Sequence, residues 1–241
     1  MTPRVRRPLR SGFTTGAAAA AAAAAALELS LTGRAPQAVW IPFLTEGGVE
    51  IHVHSARRLP DAQAEATVLK DAGDDPDVTH GAEIGARVRL AEPWEGAPEA
   101  CPVAIAGGEG VGRVTQPGLE VPPGEAAINP GPREMIIRAV RSVLARAGRS
   151  GRVRVEVFVP RGAELARRTL NARLGILGGI SILGTTGVVR PMSHEAYSAT
   201  IRSALSVARA SGLPRVVLTT GRRSERHAQG HDRHGEGGRE A

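Results

Sequence analysis

Aromatic side chains are almost missing from this chain: Phe, Trp and Tyr together make up 2% of its 241 residues. A core built here must be packed from Val, Ile, Leu and Ala. The same lack removes the platforms on which proteins stack nucleobases, and no zinc-finger spacing replaces them. Lysine is as scarce, with Lys70 the single example. Nearly all the basic charge is therefore Arg, and beside heavy Ala and Gly use this skew reads as coding bias. The net charge of +7 and pI of about 11.1 invite a polyanion partner. A small polycarboxylate fits that charge as well as a nucleic acid does, and with the skew read as coding bias and no stacking platform, no nucleic acid is expected. A lone cysteine, Cys101, excludes an intramolecular disulfide and a cysteine-rich metal site, and fits a reducing cytoplasm. No run approaches the roughly 20 apolar residues that span a bilayer, so no membrane partner is expected.

The N-terminus imitates an export signal, with Arg4, Arg6, Arg7 and Arg10 ahead of the alanines Ala17–Ala26. Those ten alanines lack the leucine-rich character of such a signal, and a Thr/Gly turn intervenes. Alanine is also the best helix former. The pattern predicts a flexible basic tail over 1–10, then a helix from near Ala17 to about Leu29.

The stretch Gly175–Ser193, GILGGISILGTTGVVRPMS, carries the strongest local signal. Ile180–Leu183 reads as a buried strand bounded by glycines, ending in Gly184-Thr185-Thr186-Gly187. Ser193 then caps a helix whose apolar face is Ala196, Ile201, Ala204, Leu205 and Ala208. Strand, Gly/Thr turn and helix N-terminus form an arrangement that presents N–H groups and hydroxyls to an anion. The same loop serves equally well as a tight connection with no ligand. Thr-Thr-Gly occurs three times, at 14–16, 185–187 and 219–221, which points to a recurring way of ending one element and opening the next.

Elsewhere, 37–43 and 49–55 read as strands around the turn Thr45–Gly48. His52 and His54 share one strand face; two such histidines could ligate a metal, but no third ligand lies near in sequence, and solvent-facing residues are the favoured reading. A strand over 62–70 leads into Lys70–Gly81, KDAGDDPDVTHG, with Asp71, Asp74, Asp75, Asp77, Thr79 and His80. The spacing does not match an EF-hand, and a magnesium site is weakly supported. Either the cluster is a solvated turn with Asp side chains capping local N–H groups, or one of its members is a base. Crowding of like charges should then raise at least one carboxyl pKa.

Further strands are expected at 84–91, 102–106, 153–159 and 215–218, with Val153, Val155, Val157 and Val159 alternating inward. Helices are expected at 162–169 and from Pro130 to Gly148, the latter with Met135, Ile136, Ala139, Val140, Val143 and Leu144 on one apolar face. The glycine run Gly107–Gly112 imitates a dinucleotide fingerprint, but Pro117 and Gly118 prevent a following helix, so it reads as a close-approach turn. The fold class that results is α+β in two domains. A mixed or antiparallel β-rich domain with packed helices covers 11–170, and a small, incomplete α/β unit covers 171–229. Residues 230–241 read as disordered.

The long motifs carry more together than any does alone. SGFTTG at 11–16, KDAGDDPDVTHG at 70–81, GGEGVGRVTQPGL at 107–119, GEAAINPGPREMI at 124–136, the 171–193 segment and TTGRRSERHA at 219–228 resemble the CbiD family, over nearly the whole chain. The family's usual Thr-Cys after the first Thr-Thr-Gly is here Ala17-Ala18. Family members also continue beyond the last motif, where this chain ends in a polar tail and looks truncated. The resemblance implies transfer of a methyl group from S-adenosylmethionine to C1 of cobalt-precorrin-5B, giving cobalt-precorrin-6A. The cobalt would belong to the tetrapyrrole substrate, with no protein metal site.

It implies a general base among Asp71, Asp74, Asp75, Asp77 and His80. Methyl-donor binding is expected at Gly178, Gly179, Gly184, Thr185, Thr186 and Gly187. Substrate carboxylates are expected at Ser11, Thr14, Thr15, Gly16, Asn129, Arg190, Arg222 and Arg223. The alternative is a degenerate, non-catalytic corrinoid-binding member. A cytoplasmic location is expected, and homo-oligomerisation is left open.

Overall fold

The computed structural model of the chain describes residues 8–91, 100–219, 221, 223, 224 and 226. A short strand β1 (Gly12–Phe13) leads directly into helix α1 (Thr15–Thr32). Thr14 caps this helix by accepting the N–H of Ala17, and Gly33 closes it at φ 77°, returning its N–H to Leu29 O. Ala17–Ala26 and Leu27 are buried on every side of the helix. An ordinary surface helix buries one stripe; α1 is enclosed all round. It is long and apolar enough, by length and composition, to cross a membrane, which the reading of apolar runs did not anticipate, yet most of it is buried inside the fold.

What encloses α1 is a curled sheet on one side and a second helix on the other. The strands are β2 (Ala38–Pro42), β3 (Gly48–Leu59), β4 (Gln63–Leu69), β5 (Glu83–Ala91), β6 (Val103–Gly107), a two-residue β7 (Arg113–Val114) and, after helix α2 (Pro130–Ala147), β8 (Arg152–Phe158). Six of them form one sheet in the order β2-β3-β4-β5-β8-β6, antiparallel except for the β6–β8 pair. Ala64, Ala66, Val68, Ile84, Ala86, Val88, Val153, Val155 and Val157 are buried in one core with α1 and with Ile136, Val140 and Leu144 of α2. The alternation expected for β8 and the apolar face expected for α2 are both present.

The opposite sheet face carries an ionic ladder. Arg57, Glu65, Arg87 and Glu156 stand in cross-strand register on β3, β4, β5 and β8. Arg57 Nε donates to Glu65 Oε1 (3.0 Å), Arg87 Nε to Glu65 Oε2 (2.7 Å) and Arg87 Nη1 to Glu156 Oε1 (2.9 Å). The Arg87 guanidinium also lies 4.4 Å from the Phe158 ring centroid. Glu65 is thus buried with both oxygens satisfied.

The chain continues through α3 (Gly162–Ala166), a 3-10 turn (Asn171–Leu174), β9 (Ile176–Leu177), β10 (Val188–Val189) and α4 (His194–Ala210). The fold class is α+β, as expected, and the glycine run 107–112 is a turn with no helix after it. Several local expectations are corrected. Ile180–Leu183 is not a ladder strand: Ile180 and Ile182 are buried and make single parallel bridges to Val111 and Ile128. The segment is stitched into the core between loops, so it needs no neighbouring strand. The helix expected over 162–169 closes at Ala166.

Ser193 caps α4 as predicted, accepting the Ala196 N–H. However, Val207 is the helix's one buried residue, while Ala196, Ala204 and Leu205 are exposed. Val207 faces Gly118, where an added Cβ would meet Ser206 O and Val207 Cα at 2.6 and 2.7 Å. Arg215–Leu218 is not a buried strand, with Val217 62% and Leu218 74% exposed; no strand among the described residues offers it a ladder partner. The expected Pro/Gly loop at 92–99 and the disordered tail at 230–241 lie outside the described residues.

Enclosure of α1 makes a direct prediction. Ala22→Leu adds volume where sheet and α2 already meet the helix, and is expected to lose about 1–3 kcal/mol in urea unfolding. An unchanged midpoint and slope would show that space remains around the helix.

Candidate functional site at the Thr-Thr-Gly junction

Two of the Thr-Thr-Gly turns meet. β1 pairs antiparallel with β10, Gly12 opposite Val189 and Phe13 opposite Val188. This brings Thr14–Gly16 against Leu183–Gly187. Thr14 N donates to Gly187 O (2.9 Å) and Gly16 N to Leu183 O (3.2 Å). Thr15 Oγ1 accepts from Leu183 N (2.9 Å) and donates to Leu183 O (3.2 Å). Gly184 and Gly187 have φ of 130° and 99°, which disfavours other residues, and added Cβ atoms would meet Thr14 and Phe43 at 2.5 and 2.7 Å.

The start of α2 completes the junction. A Cβ on Gly16 would come within 2.7 Å of the Pro132 ring, and one on Gly131 within 2.6 Å of Gly184 O. Asn129 N donates to Ile182 O (3.0 Å), and its side chain donates to Glu120 (2.9 Å). Three of the N–H groups at the opening of α1 therefore bond to protein acceptors, and the Thr14 and Thr15 hydroxyls are engaged as well.

The acidic loop clasps the entering chain. Arg10 N donates to Asp74 Oδ2 (2.7 Å), and the Arg10 guanidinium forms a bidentate pair with Asp71, one arm at 3.0 Å. Phe13 N donates to Asp71 O, and Asp74 N to Arg10 O. Lys70, 2% exposed, pairs with Asp77 Oδ2 at 2.7 Å. Asp77 Oδ1 accepts from both Thr79 N and Thr79 Oγ1 (2.7 Å each). Asp75 Oδ1 accepts the N–H of Met192 (3.0 Å), a residue held at φ 58°. His80 Nδ1 accepts the N–H of Ala72 (3.1 Å), an arrangement that puts the neutral ring's proton on Nε2.

At Asp71 and Asp77 these contacts run against the expectation that crowding raises a carboxyl pKa. Hydrogen bonding from Arg10 is the largest influence on Asp71 and holds it below the usual carboxylate range, against a smaller opposing effect of burial. For Asp77 burial is the largest single influence and pushes it up, but the charge and hydrogen bond of Lys70, with those of Thr79, outweigh it and leave it lowered. Asp71 and Asp77 each have a cation of their own, so their like-charged neighbours do not dominate.

Beside the clasp and junction lies an open cleft of about 540 Å³. Phe13, Phe43 and Val188 form apolar wall, and Glu50, His52 and His54 of β3 line it as well. Of the predicted site residues, Ser11 and Asp71 reach the cleft. Thr14, Thr15, Gly16, Asn129, Gly184, Thr185, Thr186 and Gly187 gather at the junction. Gly178 and Gly179 do not: a Cβ on Gly179 would strike the backbone of Gly110, on the far side of the 180–183 segment, on the order of 15 Å along an extended chain. Arg190 is exposed just after β10, Arg223 is exposed, and Arg222 lies outside the described residues. Phe13 and Phe43 were missed as lining residues. Their only sequence signal is that they are two of the chain's three phenylalanines.

Fold and junction define a class: an α+β protein in which two helix N-termini and two glycine turns meet beside an open cleft. The chain belongs to the CbiD family, whose family model matches residues 2–191. It is 51% identical to the cobalt-precorrin-5B C(1)-methyltransferase of Geobacillus kaustophilus, over 92% of this chain and 58% of that protein. A protein of the same name from Thermus thermophilus is also 51% identical, over 94% of this chain and 58% of its own length. The crystal structure of the cobalamin biosynthesis protein (cbiD) from Archaeoglobus fulgidus superposes with a TM-score of 0.57 at 31% identity, covering 92% of this chain and 66% of that one. The chain thus spans a little over half the length of the named relatives.

Lowered carboxyl pKa values fix the sign of the clasp's pH dependence. Its contribution is fully present above the ordinary Asp value near ~3.9 and is lost as pH falls through the lower folded values. Lys70→Met leaves Asp77 without its cation and is expected to lose roughly 3–5 kcal/mol at neutral pH. Urea melts should show a smaller loss near pH 3, where Asp77 in the variant is protonated. A loss independent of pH would assign Lys70 to packing alone.

Proposed function

We propose that this chain carries the corrinoid site and the methyl-donor site of an S-adenosylmethionine-dependent C-methyltransferase. The substrate is cobalt-precorrin-5B, methylated at C1 to give cobalt-precorrin-6A, and the cobalt belongs to the substrate. The supporting observation is that the family match over residues 2–191 includes every residue of the cleft and of the junction. Relatives named for this reaction are about half identical across that span. We keep the division near residue 170 and the cytoplasmic location as parts of the same proposal.

The chemistry asks for alignment first. A ring carbon of the macrocycle attacks the methyl carbon, the sulfonium C–S bond breaks, and the sulfur leaves as a neutral thioether. The excess positive charge on the ring is then discharged by loss of a proton. No strong electrophile is needed, so catalysis rests on holding methyl and carbon in line. We assign the methyl donor to the Gly184–Gly187 end of the predicted set, because this turn adjoins the cleft through Val188. Thr185 is its exposed residue. Gly178 and Gly179 are set apart from it and serve the close approach to Gly110. Substrate carboxylates fall to Arg190, Arg222 and Arg223, with Ser11 at the cleft edge.

Among the base candidates, Asp71 and Asp77 are paired to cations, and His80 can accept a proton at Nδ1 only by giving up its bond from Ala72. Asp75 keeps one carboxylate oxygen uncommitted and touches the segment leading from the junction into α4. Asp75 is therefore our proton acceptor, with Asp74 next to it.

Incubation of the chain with methyl-labelled S-adenosylmethionine and cobalt-precorrin-5B should place label on the macrocycle. Asp75→Asn should lower kcat on the order of a hundredfold with little change in KM. Equal losses in kcat/KM and in corrinoid binding would make Asp75 a positioning residue. Corrinoid binding with no transfer at all would favour the non-catalytic member over the enzyme.

A further inference from the structure

The cleft wall holds two side chains that methyl transfer, as described above, does not use. Along β3, Glu50, His52 and His54 are exposed, while Ile51 between the first two is buried. All three exposed residues line the cleft. The pairing of β3 with β4 then slips. Val53 lies opposite Val68 and Ser55 opposite Thr67, so His54 is an inserted residue with no partner in register. A bulge of this kind bends the strand and re-aims the inserted side chain, and such bulges concentrate beside functional sites. Its far side is pinned by a 2.8 Å hydrogen bond between the hydroxyls of Ser55 and Thr67. Neither the His52 nor the His54 imidazole has a hydrogen-bond partner among the described residues. The result is an uncommitted imidazole on a firmly held strand, at the mouth of a cleft walled by Phe13, Phe43 and Val188.

Imidazole is the commonest protein ligand of transition metals. A bare ion would find too few donors here, since no group of three or more His, Cys, Asp or Glu among the described residues is placed to hold one. A cobalt ion already inside a tetrapyrrole is a different guest. Its ring supplies the equatorial nitrogens and leaves the axial positions to exchangeable water, so one protein donor suffices. We propose that His54 is an axial ligand to the cobalt of the bound corrinoid, with the macrocycle lying across the cleft against the apolar wall. The inference rests on the corrinoid reading given under the proposed function.

The step is a ligand exchange. A neutral imidazole nitrogen forms a bond to cobalt, an axial water leaves, and neither the oxidation state nor the proton count changes. Its consequence is positional. Phe13 and Val188 belong to the β1–β10 pair that continues into both Thr-Thr-Gly turns. A ring fixed by its metal at β3 is therefore held at a set distance from the proposed methyl-donor turn. His52, two residues back on the same face, is placed to donate a ring N–H to a carboxylate arm.

The test uses the cobalt(II) form of cobyrinic acid, a corrinoid polycarboxylate with no base of its own, bound to the purified chain. Electron paramagnetic resonance should show each cobalt hyperfine line split into a triplet by one axial nitrogen. The triplet should become a doublet when the protein's histidines carry the heavy nitrogen isotope. His54→Ala and His54→Gln should abolish the splitting, and His52→Ala should retain it. A metal-free corrinoid polycarboxylate should bind the wild type and His54→Ala equally, which also shows that the variant's cleft is intact. Binding of the cobalt form without nitrogen splitting would overturn axial ligation while leaving the corrinoid reading standing. Splitting that survives in His54→Ala and vanishes in His52→Ala would overturn the role given to the bulge. Failure of the wild type to bind either corrinoid would overturn both readings together.

Discussion

The distance between the sheet and α2 is set by side chains one carbon long. Helix packing distances follow the residues at the contact, and α1 offers alanine in every direction over ten successive positions. Neighbours can therefore close on it from all sides, which a Leu-rich helix would prevent. Such a helix has high intrinsic propensity and loses no side-chain entropy on burial. The consequence reaches the site. With α2 drawn close, its opening turn at Pro130–Pro132 lies against Gly16, and Gly131 lies against Gly184. The glycines of the junction are the local cost of bringing two helix starts and a loop to one point.

That closeness also decides what the junction's polar groups do. A Thr/Gly turn at a helix N-terminus offers donors to an anion in general, but here the offers are taken up internally. Thr14 caps α1, Thr15 bonds Leu183 in both directions, and Gly16 and Thr14 donate to carbonyls of the opposite turn. The acidic loop behaves alike. Its charges form a clasp with Arg10 and with Lys70, the chain's only lysine, and fix where β1 enters. Groups buried or paired to this degree hold geometry. On the proposed reading, chemistry falls to the less committed residues around them: Asp75, Thr185, Arg190 and the histidines of β3.

The parts legible in the sequence are those whose cause is local. The caps Ser193 and Gly148, the apolar face of α2 and the alternation of β8 follow from spacing along a single element. The glycine run at 107–112 could be denied a helix because Pro117 and Gly118 follow it. What escaped depends on partners distant in sequence. β1 and β10 are two residues each, too short for any periodic signal, and exist only because they find each other. Ile180–Leu183 has a strand's composition, but its bridges go singly to Val111 and Ile128, so burial alone accounts for its apolar character. Asp71 and Asp77 could not be given the right direction of titration, since neither the Arg10 pairing nor the burial of Lys70 is written in the spacing of the loop. The bulge at His54 escaped for a related reason. Alternation reads straight through it, and the slip belongs to the pairing of β3 with β4.

A rigid junction beside an open cleft is a coherent arrangement for a reaction limited by alignment. If methyl and ring carbon must be held in line, the elements that hold them should not rearrange when ligands arrive. A turn already saturated with internal hydrogen bonds meets that condition, because a ligand placed there meets a shape fixed in advance. The ring needs a second anchor that is equally fixed, or it can slide along the apolar wall, where contacts are non-directional. Among the groups lining the cleft, an imidazole on a strand bulge is directional, while Phe13, Phe43 and Val188 are not. The β1–β10 pair joins that wall to the junction, so an anchor at β3 and a donor turn at 184–187 would be referred to one frame. The alanine helix beneath them keeps that frame closed.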